Sequence, residues 1–366
     1  MIASLERIDW HRFLARPRVA APSGEMLDPF RNTSILITGA GGSIGSALAL
    51  RLAAHEPRPL VLLESSESNL FALQQTFEKS PLAARPSFVL GGLHDSALLD
   101  EIFRKHAPRI VFHAAAFKQV PLLEEQPLAA VENNVFGTRH LVSAASAHGA
   151  RVVLLSTDKA VEPASIMGAT KRIAEHIVRG SGGTALRLGN VLASRDSVAE
   201  VFAGFITAGQ PITVTDPAAR RFFLTLDEAV DLLLAAVGPE PPVLLAPDLP
   251  TPHFIVDLAR FMAGELSPGR GVRIEFSQLR AGDKEAEILW SSTENVVDTT
   301  VGSLLRIESP MLDAPRLRSA LDTLRSALDS RDSIAVLGIL RDLVPDYTPS
   351  DTLLAQFPHP VSRVSP

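Results

Sequence analysis

In the stretch LLSTDKAVEPASIMGATKR a hydroxyl, a carboxylate and an amine stand consecutively as Thr157, Asp158 and Lys159. A second amine, Lys171, follows on a helix-like segment. Such a set can exchange protons with a bound hydroxyl-bearing ligand, provided the pKa values are moved. An amine becomes a base near neutrality only when burial or another cation lowers its pKa, so Lys159 is expected buried near Lys171. Asp158 needs the opposite shift to donate a proton. Helical spacing puts Met167 one turn before Lys171. A tyrosine there would complete a Tyr-x-x-x-Lys pair, whose phenol takes a proton from a substrate hydroxyl. Methionine has none to exchange, and the single tyrosine, Tyr347, is followed one turn later by Asp351. A proton leaving an oxidised hydroxyl must therefore pass to Asp158, to Thr157 through water, or to Lys171. A helix cap with a solvated charge pair is the plainer reading of Ser-Thr-Asp-Lys.

A second constellation, TGAGGSIGSAL, supplies Gly39, Gly42 and Gly45 in Gly-x-x-Gly-x-x-Gly spacing, with Ser43 and Ile44 at the same turn. Between a strand and a helix, such glycines let the backbone approach a pyrophosphate at the helix N-terminus. Glu64 ends the next apolar run, where a carboxylate accepts from the adenosine ribose hydroxyls. Residues 64–69 bring no Arg or Lys to neutralise a 2′-phosphate, so NAD is expected rather than NADP. Ala114 and Ala115, in HAAA, pass under the nicotinamide half of the cofactor.

These residues need a scaffold, and the apolar pattern supplies one. Runs at 34–38, 60–63, 87–90, 109–113, 151–156 and 184–188 predict buried strands, with helix-period segments between them. That alternation predicts an α/β fold, a doubly wound Rossmann-type parallel sheet with a smaller C-terminal substrate-binding region. The expected division is an N-terminal helical extension (1–31), an NAD-binding Rossmann domain (32–190, with 218–248 returning to it), a nucleotide-sugar-binding region (191–217 and 249–308), a C-terminal helical pair (309–348) and a poorly ordered tail (349–366). Within it, 272–279 predicts a strand, and the Pro-containing stretches 211–217 and 237–252 break the pattern.

With 366 residues, 46% hydrophobic and 21% charged, the composition is that of a globular protein. A net charge of −6 speaks against nucleic acid or an anionic membrane surface as partner. The absence of cysteine excludes disulfides and thiolate metal sites and fits a reducing, cytoplasmic setting. No signal peptide or membrane segment is evident. The histidines do not cluster with carboxylates at metal-ligand spacing, so no metal is expected. The apolar helices make a homo-oligomer the expectation.

Beyond single motifs, the successive blocks TGAGGSIGSAL, VFHAAAFKQVPLLEEQPLAAVENNVFGT, LLSTDKAVEPASIMGATKR, LRLGNVLASRDSV, PITVTDPAARRFFLTLDEAVDLLL and LRAGDKEAEIL resemble one family. It is that of the CapD-like polysaccharide-biosynthesis proteins, the inverting UDP-GlcNAc 4,6-dehydratases of the extended short-chain dehydrogenase superfamily. Large membrane-anchored members also carry Met at the position of Met167. The resemblance implies that Lys159 is the base at C5 of the sugar and that Asp158 helps protonate the leaving oxygen. Thr157 is placed to bond the 4-hydroxyl, and Lys171 to hold the nicotinamide ribose.

The resemblance also puts Asn190 near the substrate diphosphate. Arg195, Arg221 and Arg280 fall in matching blocks and can clamp a pyrophosphate through paired donors. Arg280 and Asp283 resemble an arginine–acid pair that holds the phosphate and the uridine ribose. Lys118, after the fourth strand, can reach the sugar. Gly92 departs from the family's Asp near the adenine, Ala193 and Asp196 from its glycines in the substrate loop, and Ala281 and Asp283 from its Pro and Glu. The expected activity is NAD-dependent, C5-inverting 4,6-dehydration of a UDP-N-acetylhexosamine. A C4 epimerase or reductase, or a non-catalytic NAD or nucleotide-sugar binder, is the alternative.

Overall fold

A computed structural model describes residues 5–82, 85–269, 271–299 and 301–356. The six apolar runs form β1 (Ile35–Thr38), β2 (Leu60–Glu64), β3 (Ser87–Leu90), β4 (Ile110–His113), β5 (Arg151–Thr157) and β6 (Thr184–Leu188). Most have no exposed face, because helices cover both sides of the sheet, as parallel strands require. Their order, β3-β2-β1-β4-β5-β6, is the doubly wound Rossmann arrangement. The crossovers are α3 (Ser43–Ala53), α4 (Glu67–Lys79), α5 (Ser96–His106), α8 (Gly137–Ala147) and α9 (Ile166–Gly180). Before α8 the chain adds the short α6 (Val120–Glu125) and α7 (Pro127–Val131), then a π-helical turn over Glu132–Phe136.

After β6, the chain leaves the sheet through β7 (Asn190–Val191), α10 (Val198–Thr207), β8 (Ile212–Val214), β9 (Arg220–Arg221) and β10 (Phe223–Leu224). It returns with α11 (Leu226–Ala235) and β11 (Val243–Pro247), a seventh parallel strand beside β6. A capping box between Thr225 and Glu228 starts α11. β12 (His253–Phe254), α12 (Ile255–Leu266) and β13 (Ile274–Phe276) then pack with α10 and β8. Phe202, Ile212, Phe223, Leu258 and Met262 share this second, smaller core.

The structure corrects the sequence reading in four places. Within the Pro-containing stretch 237–252, β11 is buried along its length. The prolines bound it rather than break the fold. Residues 295–308, expected with the sugar-binding region, instead form β14 (Asn295–Asp298) and β15 (Leu304–Glu308), antiparallel strands that extend the main sheet beyond β11. The tail begins in order. Ser350 caps α15 (Asp351–Ala355), Leu353 is fully buried, and Ser350 Oγ donates to Glu124 at 2.6 Å. Residues 357–366 lie outside the described residues.

Fourth, the N-terminal extension is only partly helical. α1 (Trp10–Leu14) and α2 (Gly24–Leu27) are short and joined by extended chain. Leu5, Phe13 and Leu14 enter the smaller core, and Arg16 pairs with Glu228 at 2.8 Å. The helical pair near the C-terminus, α13 (Ala314–Asp329) and α14 (Ser333–Leu343), packs α14 against α7 and α9. No helix among the described residues is long and apolar enough to cross a membrane.

Candidate active site

A cleft of about 530 Å³ opens at the carboxyl ends of β1, β4, β5 and β6, facing the smaller core. Gly39, Gly42, Ser43, Ile44 and Gly45 line one end. Gly39 has φ +66, and a Cβ there would meet the Ala115 backbone at 2.7 Å. The turn thus needs a bare Cα and lies directly on the segment after β4, with α3 starting beside it. That cradle fits a dinucleotide pyrophosphate. Ala114 lines the cleft, whereas Ala115 supports the turn from behind.

Glu64 does not line the cleft, and its two oxygens accept from the amides of Gly41 and Ser66, each at 2.9 Å. The carboxylate expected to accept from a ribose thus ties the glycine turn to the end of β2.

Thr157, Lys159, Met167, Lys171 and Asn190 line the middle of the cleft. Asp158 does not, for it has no exposed surface. Its Oδ1 accepts from Thr157 Oγ1 and from Lys159 Nζ, both at 3.0 Å, while its Oδ2 is buried without a partner. Lys159 Nζ also donates to Asn190 Oδ1 at 3.0 Å and lies 3.6 Å from Glu287 Oε1. The turn holding these groups is pressed against the start of α9. A Cβ on Gly168 would meet the Lys159 carbonyl oxygen at 2.2 Å, so only glycine lets the two pack.

The electrostatics reverse one expectation. Burial alone would lower the Lys159 pKa, but the carboxylates of Asp158 and Glu287 outweigh it and hold the ammonium above its usual value. In this state Lys159 is an acid-paired cation, not a free base. Asp158 shifts as expected. Burial, aided by Glu287, raises it against the opposing pull of Lys159. The depressed lysine is instead Lys171. Burial brings it down to about 8, with Glu175 pulling the other way, and its Nζ donates to the Leu155 carbonyl at 2.6 Å.

Behind the cleft lies a buried network that sequence reasoning missed. Glu175, one turn beyond Lys171, accepts from Ser156 Oγ at 2.6 Å and from Arg187 at 3.0 Å, and Glu294 binds the other side of that guanidinium. Asn134, in the π turn, bonds the Phe117 backbone and Thr170, tying the post-β4 segment to α9. His113 bridges Thr38 and Thr138; burial drops its pKa to about 3, so it is a neutral structural ring.

The predicted diphosphate clamp is only partly assembled. Arg280 and Asp283 line the cleft and pair at 2.9 Å. Arg221 also lines it, donating to the backbone carbonyls of Arg220, Lys284 and Glu285. Lys118 lines it too, but its Nζ donates to the Arg195 carbonyl at 2.6 Å, which ties down the loop after β7.

Arg195 is elsewhere. Its guanidinium bonds Asn69 Oδ1 and the Gly41 carbonyl, and its amide donates to Ser43 Oγ. It therefore lies over the glycine turn and the start of α3. It also brings a cation close to residues 64–69, which have none of their own. Flanking it, Ala193 (φ +56) and Asp196 (φ +57) adopt the left-handed conformation that glycine would take without strain.

Glu287 and Lys284 are the other site residues missed. They stand in the same block as Arg280 and Asp283, and that common block was the available signal.

The doubly wound sheet, the glycine turn and the cleft at its carboxyl edge together define a Rossmann-type α/β fold. More narrowly, residues 35–309 match the model of the polysaccharide biosynthesis protein family, and the chain belongs to that family. It is 36% identical over 310 residues to the capsular polysaccharide biosynthesis protein CapD of Staphylococcus aureus, covering 80% of this chain and 51% of that one. Against the probable polysaccharide biosynthesis protein EpsC of Bacillus subtilis it is 36% identical over 296 residues, covering 77% and 49%. The chain thus spans about half the length of these curated relatives. Among solved structures, Pen from Bacillus thuringiensis superposes with a TM-score of 0.71 at 29% identity, covering 78% of this chain and 89% of that one.

Proposed function

We propose that the chain is an NAD-dependent UDP-N-acetylhexosamine 4,6-dehydratase, C5-inverting and acting on UDP-GlcNAc, which makes a 4-keto-6-deoxy nucleotide sugar for glycan assembly. The observation that carries the reading is the Asp158–Lys159 pair at the end of β5. It is wired to the cleft-lining hydroxyl of Thr157 and stands across from the glycine turn. Epimerisation needs only the hydride step; a buried carboxyl with a raised pKa touching a lysine is what elimination requires.

NAD bound at the glycine turn would supply the hydride acceptor for C4 and the hydride donor for C6. The protein moves the protons. As C4 is oxidised, its hydroxyl proton passes to Thr157 Oγ1, which in turn hands its own to Asp158. This route replaces the tyrosine that Met167 cannot be. The ketone acidifies H5, and Lys159 in its neutral form takes that proton. The bond from C6 to its hydroxyl breaks as Asp158 returns a proton through Thr157 Oγ1, so the hydroxyl leaves as water. A proton then re-adds at C5 as C6 receives hydride, leaving a methyl group. Lys171 holds the nicotinamide ribose, and Asn190, Arg221, Arg280 and Asp283 face the nucleotide diphosphate. Glu64 can accept from the adenosine ribose, favouring NAD, while Arg195 belongs to the cofactor end.

Proton NMR of the protein with NAD and UDP-GlcNAc in D₂O tests the reading. A new C6 methyl signal with deuterium at C5 is expected. C4-epimerised sugar without a methyl, or an unchanged spectrum with NAD and UDP both bound in calorimetry, would overturn it.

A further inference from the structure

The segment that brings Arg280 and Asp283 to the cleft continues inward and buries Glu287, whose side chain is 2% exposed. Three cations face this carboxylate. Its Oε1 lies 3.6 Å from Lys159 Nζ and 4.0 Å from Arg221 Nε, and its Oε2 lies 2.8 Å from Lys284 Nζ. Asp158 bears on it from across Lys159. Lys284 also donates to the Val161 carbonyl at 2.9 Å, in the chain just beyond the catalytic turn, and Arg221 donates to the Lys284 carbonyl at 2.8 Å. Glu287 is thereby fixed from β9, from its own segment and from the chain after β5.

Lys159 does not need Glu287 merely to stay in place. Its ammonium already has Asp158 Oδ1 and Asn190 Oδ1 at 3.0 Å each. What the third group adds is a second negative charge beside the ammonium, 3.6 Å away. We propose that Glu287 is a positioning residue that controls whether Lys159, beside the Asp158 carboxylate, stands as an ammonium or as an amine. The role rests on the dehydratase reading, which needs the amine. Release of one proton from Lys159 Nζ to solvent leaves the base for C5, while Asp158 receives its own proton from the C4 hydroxyl through Thr157. The Glu287 charge stabilises the ammonium and so opposes this release, while Lys284 and Arg221 temper that charge. The resting site is held in the ionic form by a residue delivered on the segment that also carries Arg280.

The chain has only six lysines, so their side-chain NMR signals can be followed individually through a pH titration, with Lys159 assigned by its loss in Lys159→Arg. Glu287→Gln, nearly isosteric, is expected to lower the Lys159 titration point by about one pH unit or more, with Glu287→Asp retaining most of the wild-type value. Lys284→Met removes one cation from Glu287 without touching Lys159 and is expected to move the point upward. Opposite shifts from these two variants are an outcome that a merely structural role does not produce. A Lys159 titration point unmoved in both variants, with UDP still bound in calorimetry, would overturn the proposal. The titration needs no turnover. Absence of methyl product from the wild type would therefore sink the dehydratase reading and still leave this result interpretable.

Discussion

Thr157 Oγ1, which faces the cleft, donates to Asp158 Oδ1 at 3.0 Å, so an accessible hydroxyl is wired to a carboxylate that no ligand can touch. If this wire carries the proton from C4, its removal is costly and Met167 is a spectator. Thr157→Val should lower kcat for methyl formation by about 100-fold or more, and Thr157→Ser by about tenfold or less. Met167→Leu, which conserves volume in a 5% exposed position, should stay within about threefold of wild type. Initial rates by NMR decide it, and a collapse in Met167→Leu with Thr157→Val unaffected would reject the relay.

If Lys171 holds the cofactor ribose as proposed, cofactor binding depends on pH. Burial places its pKa at about 8, so the side chain is mainly cationic at pH 7 and mainly neutral at pH 9. A ribose-holding ammonium loses a charge-assisted donor on that passage. NAD affinity by calorimetry should fall between those values. Glu175 supports the charged form, so Glu175→Gln should move the loss to lower pH.

The proposed cofactor-side role of Arg195 has a direct test. With its guanidinium on Asn69 and Gly41, Arg195→Ala should weaken NAD by about 5–20-fold and leave UDP within about twofold. Titrating the variant with NADP as well shows whether that cation serves a 2′-phosphate. A loss confined to UDP would return Arg195 to the sugar side.

The network behind the cleft makes a stability prediction. Burial would raise the Glu175 pKa, but Arg187 and Arg172 outweigh it and hold it down to about 2. A carboxyl depressed on folding contributes stability that is present above its unfolded pKa near 4.5 and is lost as pH falls towards 2. Glu175→Gln leaves the fully buried Arg187 with one carboxylate instead of two, and should cost about 3–5 kcal/mol in denaturant unfolding at pH 7. The deficit relative to wild type should shrink as pH falls below about 4.

The sheet was legible because its strands are continuous apolar runs, and six of them stand where the runs predict. β11 was obscured by flanking prolines. β14 and β15 were missed for another reason. They lie at the edge of the sheet, β14 is exposed, and nothing local announces a partner in β11. At the site, Thr157, Asp158, Lys159, Met167 and Lys171 fall in one short stretch, 157–171, and are readable together. The sign of the Lys159 shift was not, since Asp158 is joined there by Glu287, a charge delivered by a distant segment. The contacts of Arg195 with the glycine turn were not readable from its block, because left-handed Ala193 and Asp196 flank it and its bonds run to residues more than a hundred positions away.

The contact between Gly168 and the Lys159 carbonyl has a consequence for engineering. It welds the turn after β5 to α9 as one module, while Arg280, Asp283 and Glu287 arrive on a separate segment. If the proposed function holds, transplanting residues 280–287 from a relative is a way to retarget the sugar while leaving the turn and α9 intact. A side chain at position 168 would prise that turn from α9.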